Sequence, residues 1–546
     1  MVASLPIDNS AERTLGPEGS RLWAALLGAS KSSVTPADSR GPSSAEQVCQ
    51  SESVVACAGA TVMGVTERVR SVQQQWSSRS LRDRLSVLRA LRLRIASNPR
   101  AIARSVPREL VSQTLAAEVL PVLDAIRFLE KEARKILKER RLRARSRPVW
   151  LWGNVVRVRP EPLGVILVIG PANYPLMLPG IPMLQALAAG NGVILKPAAG
   201  CREPLQKLVE LAEHCGLPAG LVELLPEELP AVTECIRRGV DKVVLTGSAT
   251  TGRAVLRELA ETGTPSVMEL SGCDSVFVLN DANLQLVVDC LLFGFTLNDG
   301  RTCMAPRRVF AEGWVVDRLI PLLRAGIEAR QLDHHRYCGP AIDFAFAKIE
   351  EAVSEGAMLC SGTFSELDGE RGIVGPVILD GVTSQMSVTR SDIFAPVLSF
   401  LRVANEDEAV RRSQECPYGL GAAVFGSVFR CKALARRLDV GCVVINDMIV
   451  PSADPRVAFG GRRASGFGMT RGAAGLLEMT QVKHIVRSRP FFRPHLEPPC
   501  PLDADVMESL IRLEHAPNAL MRLLRVPGMV RASLRQFLFR RAEKRS

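Results

Sequence analysis

Glu269 follows a β-rich run, and Cys303, thirty-four residues later, closes an Asn-x-Gly-x-x-Cys turn that starts at Asn298. A carboxylate that activates water and a thiol that attacks a carbonyl are the two parts of covalent acyl chemistry. The pair by itself is weak, and an oxyanion donor, a cofactor site and a pocket must accompany it. Asn173, in Pro171-Ala-Asn-Tyr-Pro175, offers the donor. Two prolines stiffen its loop and an amide is a good preorganised oxyanion ligand, although Asn and Pro also favour ordinary turns. Gly247-Ser-Ala-Thr-Thr-Gly252 stands between a predicted strand and a predicted helix. Glycine there lets the backbone approach a pyrophosphate, and a helix N-terminus favours negative charge. Its spacing is not G-x-G-x-x-G, and a plain tight turn reads equally well. Lys196 ends a predicted strand and can reach a ribose hydroxyl or a 2′-phosphate, with a surface lysine as the alternative.

The elements that must position these residues are legible from periodicity. From Ala58 to Lys138 the text is helical: Leu85, Leu88, Leu91 and Ile95 recur at helical spacing. The stretch from Leu115 to Leu137 repeats this, with Pro121 as a kink or break. Around Gly153-Asn154, Trp150 to Arg159 alternates apolar and polar residues, a hairpin signal. Beyond Gly164, strands are predicted at Val165 to Ile169, Gly192 to Lys196, Val222 to Pro226, Lys242 to Gly247 and Pro265 to Leu270, with helices between them. Such alternation means a parallel, doubly wound sheet with ligands at the carboxyl ends of its strands. After Cys303 a second α/β set follows, with strands at Gly375 to Leu379, Val397 to Arg402 and Gly441 to Asn446. The stretch from Glu269 to Cys303 then falls at a junction of two domains, where active sites are common.

Composition fits a globular protein, 47% hydrophobic and 23% charged. The net charge of +12 suits either an anionic partner or plain solubility, and the basic helices lack the interleaved aromatics of a nucleic-acid site, so no nucleic acid is expected. Fourteen cysteines without a Cys-x-x-Cys pair, and an N-terminus without an export signal, predict reduced thiols and a cytoplasmic protein. Most of the other cysteines fall on predicted helices or strands as apolar residues. His335 and Cys338 have no second ligand pair, so no metal is expected.

Taken together, EPLGVILVIGPANYP, LAAGNGVILKPA, VVLTGSATTG, MELSG, NDGRTC, IFAPV, GCVVIN and FGGRRASGFG resemble the aldehyde dehydrogenase superfamily, in family order, from about residue 60 to 486. The resemblance implies an α/β protein with a doubly wound Rossmann-like cofactor domain, an α/β catalytic domain and a small β-arm for oligomerisation. It implies an NAD(P)-binding domain (58–140 and 160–270), a catalytic domain (271–470) and an oligomerisation arm (141–159 and 471–486); outside it, Ser-, Ala-, Pro- and Gly-rich composition predicts a disordered extension (1–57), and the residue pattern a basic amphipathic extension (487–546). The resemblance also implies a homodimer or homotetramer acting on a small aldehyde with NAD or NADP. By motif match Cys303 is the nucleophile, Asn173 the oxyanion donor and Glu269 the water-activating base. Lys196 would meet the adenosine ribose, Gly247, Ser248 and Gly252 the pyrophosphate, and Asp392 and Phe394 the nicotinamide ribose. The alternatives are a coenzyme A-dependent acylating member and a catalytically weak member acting as a binding protein.

The sequence departs from the family pattern at several of these positions. Ala199 replaces an acid that often binds the ribose, which predicts that NADP is accepted or even preferred. Asp392 is one methylene shorter than the usual Glu, Ala395 replaces a common Gly, and Ser271 replaces the first Gly of Glu-Leu-Gly-Gly. Arg301 stands where Gln is common and can lower the Cys303 pKa, attract an acidic substrate or point to solvent. Leu510 to Leu524 and Val530 to Phe539 read as basic amphipathic helices, able to touch an anionic membrane from its periphery or to pack on protein.

Overall fold

Apolar residues at three- and four-residue spacing open the described chain as helices. The computed structural model describes residues 64–543 except 109, 144, 146, 149, 150, 152, 368, 369 and 489–493; the predicted extension 1–57 lies outside them. The helix Leu81–Ser97 buries Leu85, Leu88, Leu91 and Ile95, and Ser80 caps it by accepting from Asp83 N at 3.2 Å. The expected irregularity at Pro121 is a π-helical turn, Leu115–Val119, just ahead of the α-helix Leu120–Ile136. A proline in the first turn leaves no N–H to bond backward, so the preceding turn widens.

These helices pack on a six-stranded sheet. Its order is Gly466–Phe467, Ser266–Glu269, Lys242–Thr246, Val165–Ile169, Gly192–Lys196 and Val222–Leu224. The last five are mutually parallel, and Val165–Ile169 is buried along its whole length, as a strand covered on both faces must be. A second, eight-stranded sheet runs through Glu370–Asp380, Val397–Val403, Pro306–Glu312, Asp274–Val278, Gly421–Phe425 and Cys442–Ile445. Asp274–Val278 and Pro306–Glu312 are adjacent and parallel, so the chain between them, which carries the helix Leu284–Thr296 and then Cys303, is one crossover connection.

The chain forms two units. One runs to Leu137 and resumes over Glu161–Gln481; the other comprises Lys138–Pro160 and the chain from Val482 onward. The second unit holds a three-stranded sheet ordered Arg140–Arg141, Val155–Pro162, Thr480–Arg487. The expected hairpin is replaced: Gly153 turns the chain with φ 101°, but the antiparallel partner of Val155–Pro162 is Arg140–Arg141, further back. Trp150 lies outside the described residues. The tail helices are Asp503–Glu514 and Ala519–Glu543. The break falls at 515–518, where Asn518 caps the next helix by accepting from Met521 N at 2.8 Å, and Pro527 stays inside the helix.

Candidate active site

Glu269 is the last residue of its strand, with Gly466 opposite it on an antiparallel neighbour. The side chain is 3% exposed. Oε2 accepts from Thr470 Oγ1 at 3.3 Å, and Oε1 has no partner. Burial raises the carboxyl pKa, with the Arg471 guanidinium and the Thr470 hydroxyl opposing it. A buried, half-satisfied carboxylate of this kind is suited to accept a proton.

Cys303 is reached through a strained turn. Asn298, Asp299 and Gly300 take left-handed φ values of 53°, 55° and 73°, which cost energy in the first two. A Cβ on Gly300 would stand 2.3 Å from the Ala395 carbonyl carbon, so glycine alone lets the turn lie there. Buried Arg307 clamps both sides, donating from Nη2 to Gly300 O and from Nη1 to Ala395 O, each at 2.5 Å. Burial first, then the Glu269 and Asp274 carboxylates, push the Cys303 thiol pKa up, against Arg471. The resting group is therefore a thiol that needs a base.

The proline-flanked loop is tied to this turn. Asn173 Nδ2 donates to Arg301 O at 3.0 Å, leaving its second amide hydrogen free. Tyr174 OH and Thr302 Oγ1 share a hydrogen bond of 2.6 Å. Arg108 Nη2 and Asn298 Nδ2 donate to Asn173 O at 2.8 and 3.0 Å. Behind the loop, fully buried Glu118 accepts from Leu176 N at 2.7 Å and Met177 N at 3.2 Å. It thereby caps the helix Met177–Ala189, whose own N-cap residue, Leu176, cannot. Arg108 pairs with Glu118 at 3.5 Å.

Cys303, Glu269, Asn173, Gly247, Ser248, Asp392 and Phe394 line one cavity of about 2350 Å³. Lys196 and Gly252 do not. Lys196 ends its strand, buried and without a side-chain hydrogen bond among the described residues; burial lowers its pKa, with Glu227 and Glu228 opposing. Gly252 faces inward, where a Cβ would meet Leu270 Cδ2 at 2.5 Å, so its smallness serves helix packing. Ser271 Oγ accepts from Ala249 N at 3.0 Å, occupying an amide in the first turn of Ala249–Thr262. Burial pushes the Asp392 carboxyl up to about 6, with Arg307 opposing, and its Oδ1 is buried without a partner. Arg301 is half exposed and pairs with Asp299 at 2.8 Å, and both residues line the cavity. The orphaned Asp392 oxygen and the helix start at Ser248, both in the cavity lining, fit a ligand built of hydroxyls and phosphates.

Sequence reasoning missed Arg108, Glu118, Arg307, Thr470 and Arg471. A signal existed for Arg307, because an arginine in a run of strand-forming residues is seldom left unpaired when buried. None existed for Glu118, which acts across 58 residues of chain.

The pattern of the aldehyde dehydrogenase family matches residues 30–485. A 4,4′-diapolycopene aldehyde oxidase of Methylomonas is 31% identical over 74% of this chain and 77% of its own length. Benzaldehyde dehydrogenase YfmT of Bacillus subtilis is 30% identical over 78% and 89%. Among solved structures, the NADP complex of an NADP-dependent glyceraldehyde-3-phosphate dehydrogenase from Bacillus halodurans superposes with a TM-score of 0.71 at 28% identity, covering 79% of this chain and 91% of that one.

Proposed function

This chain belongs to the aldehyde dehydrogenase family, and we propose that it oxidises an apolar aldehyde to the free carboxylic acid with NAD or NADP through a thioester on Cys303. The observation that carries this reading is the single cavity in which Cys303 and Asn173 meet a buried Glu269 whose Oε1 has no partner. Leu178, Phe293, Leu297 and Val450 give that cavity apolar wall. The names of two relatives, for 4,4′-diapolycopene aldehyde and benzaldehyde, point to substrates of the same character.

In this mechanism Glu269 takes the Cys303 proton and Sγ adds to the carbonyl carbon. The oxyanion that forms is held by the free Asn173 amide hydrogen and the Cys303 N–H. When bound, NAD(P)⁺ supplies the acceptor for the hydride that this carbon loses. Lys196, Gly247, Ser248, Asp392 and Phe394 would hold it. Once Glu269 has passed the first proton to solvent, it takes a proton from water, the oxygen adds to the thioester carbon, and Cys303 leaves as thiolate.

Incubation with benzaldehyde and with short and long aliphatic aldehydes, without coenzyme A, is expected to give acid and NADH or NADPH in equal amounts. Cys303→Ala is expected to give neither. Product that forms only with coenzyme A would identify an acylating enzyme instead. Turnover retained by Cys303→Ala would remove the nucleophile assignment.

A further inference from the structure

The helix Ala519–Glu543 is amphipathic, and it is mounted with its apolar side outward. At about 100° per residue, Leu523, Leu524, Val530, Leu534, Phe537 and Leu538 fall within one arc of about 140°. Each of the six is more than half exposed, and the helix buries none of its residues. The opposite side holds it to the rest of the tail through polar groups. Gln536 Nε2 and Arg540 Nη2 both donate to Asp503 Oδ1, at 2.5 and 2.9 Å. Arg522 Nη2 donates to Glu514 O at 3.0 Å and Arg525 Nη1 to Arg512 O at 2.5 Å. An amphipathic helix docked to serve its own unit would do the reverse, burying the apolar stripe. The neighbouring helix Asp503–Glu514 adds Met507 and Ile511, also more than half exposed.

Charge decides what this face meets. The helix carries Arg522, Arg525, Arg531, Arg535, Arg540 and Arg541 against Glu543 alone. Arg531, Arg535 and Arg541 have no hydrogen bond or ion pair among the described residues, and at the same angular spacing all three lie within or beside the apolar arc. Unpaired arginines bordering exposed leucines and phenylalanine match the boundary between anionic headgroups and acyl chains. Among the described residues no helix is long and apolar enough to cross a membrane. We propose that Ala519–Glu543 is an interfacial anchor that lays this apolar face on an anionic lipid surface, lying in the headgroup plane rather than spanning. This anchor does not depend on the chemistry at Cys303.

The full-length protein is to be floated with vesicles of phosphatidylcholine alone and of equimolar phosphatidylcholine and phosphatidylglycerol. Binding is expected to the anionic vesicles, weakening as salt is raised. The substitutions go on a helix that buries none of its residues, so folding is expected to be preserved, and dehydrogenase activity without vesicles reports this. Leu534→Glu with Phe537→Glu is expected to weaken binding by about tenfold or more. Arg531→Glu with Arg535→Glu is expected to weaken binding to anionic vesicles by about fivefold or more per position. No binding by the parent protein, equal binding to neutral and anionic vesicles, or equal binding by parent and variants overturns the proposal. So does a lower assembly mass for Leu534→Glu with Phe537→Glu in the absence of lipid, which would make this face a contact between copies of the chain.

Discussion

Burial raises the pKa values of both Glu269 and Cys303. A base with a raised pKa loses its proton only at higher pH, and so does a nucleophilic thiol. kcat/KM is therefore expected to climb from neutral into alkaline pH, and a flat profile over that range would contradict the pairing. Glu269→Gln removes the base for both steps, so it is expected to slow the first-turnover formation of NADH or NADPH as well as to abolish steady turnover, seen by stopped-flow absorbance. A second residue bears on cofactor choice. Ala199 takes one carboxylate away from the ribose side, which predicts that NADP is accepted or even preferred, while Glu227 Oε2 accepts from Gly200 N at 2.8 Å and brings another carboxylate to the turn after Lys196. Glu227→Ala is expected to raise the kcat/KM ratio of NADP over NAD about tenfold, equivalent to ~1.4 kcal/mol. An unchanged ratio would exclude Glu227 from cofactor choice. Both chemical residues were readable because each stands in a distinctive local motif. The carboxylate at Glu227 was not, since it comes from beyond the next strand.

At the scale of elements, the sheet strands were the most legible part. Val165–Ile169 and Gly192–Lys196 have the predicted limits because buried parallel strands are unbroken apolar runs bounded by glycine and proline. The tail helices were placed less well, since the break falls at 515–518, where Asn518 caps the second helix, rather than between Leu524 and Val530. Helix capping at a distance was invisible. Glu118 replaces a local cap for Met177–Ala189 and also holds Arg108, which grips the carbonyl of Asn173. Glu118→Ala removes two hydrogen bonds to a helix start and leaves a largely buried arginine unpaired. It is expected to destabilise the fold by about 1–3 kcal/mol and to lower kcat by displacing Asn173. Calorimetric melting together with steady-state kinetics checks this, and an unchanged Tm would rule out the capping role.

At the scale of the whole molecule, the strand Thr480–Arg487 is exposed along nearly its whole length and lies at one edge of its three-stranded sheet. Such an edge invites another strand, so an oligomer that forms through it is expected to dissociate in Val482→Glu with Val486→Glu, read as a lower mass in sedimentation velocity. The sequence by itself determined the order of the motifs and the alternation of strands and helices, and it put Cys303, Glu269 and Asn173 forward as the candidates for acyl chemistry. These follow from local spacing, which the backbone converts directly into strands, turns and helix starts. Only the tertiary structure decided that Glu269 is buried with one oxygen unpaired, that Arg307 clamps the turn before Cys303, and that Arg301 pairs with Asp299 in the cavity lining. It also decided that the last helix turns its apolar face outward. Burial and pairing depend on groups brought together from far along the chain, and no local pattern states which ones will meet.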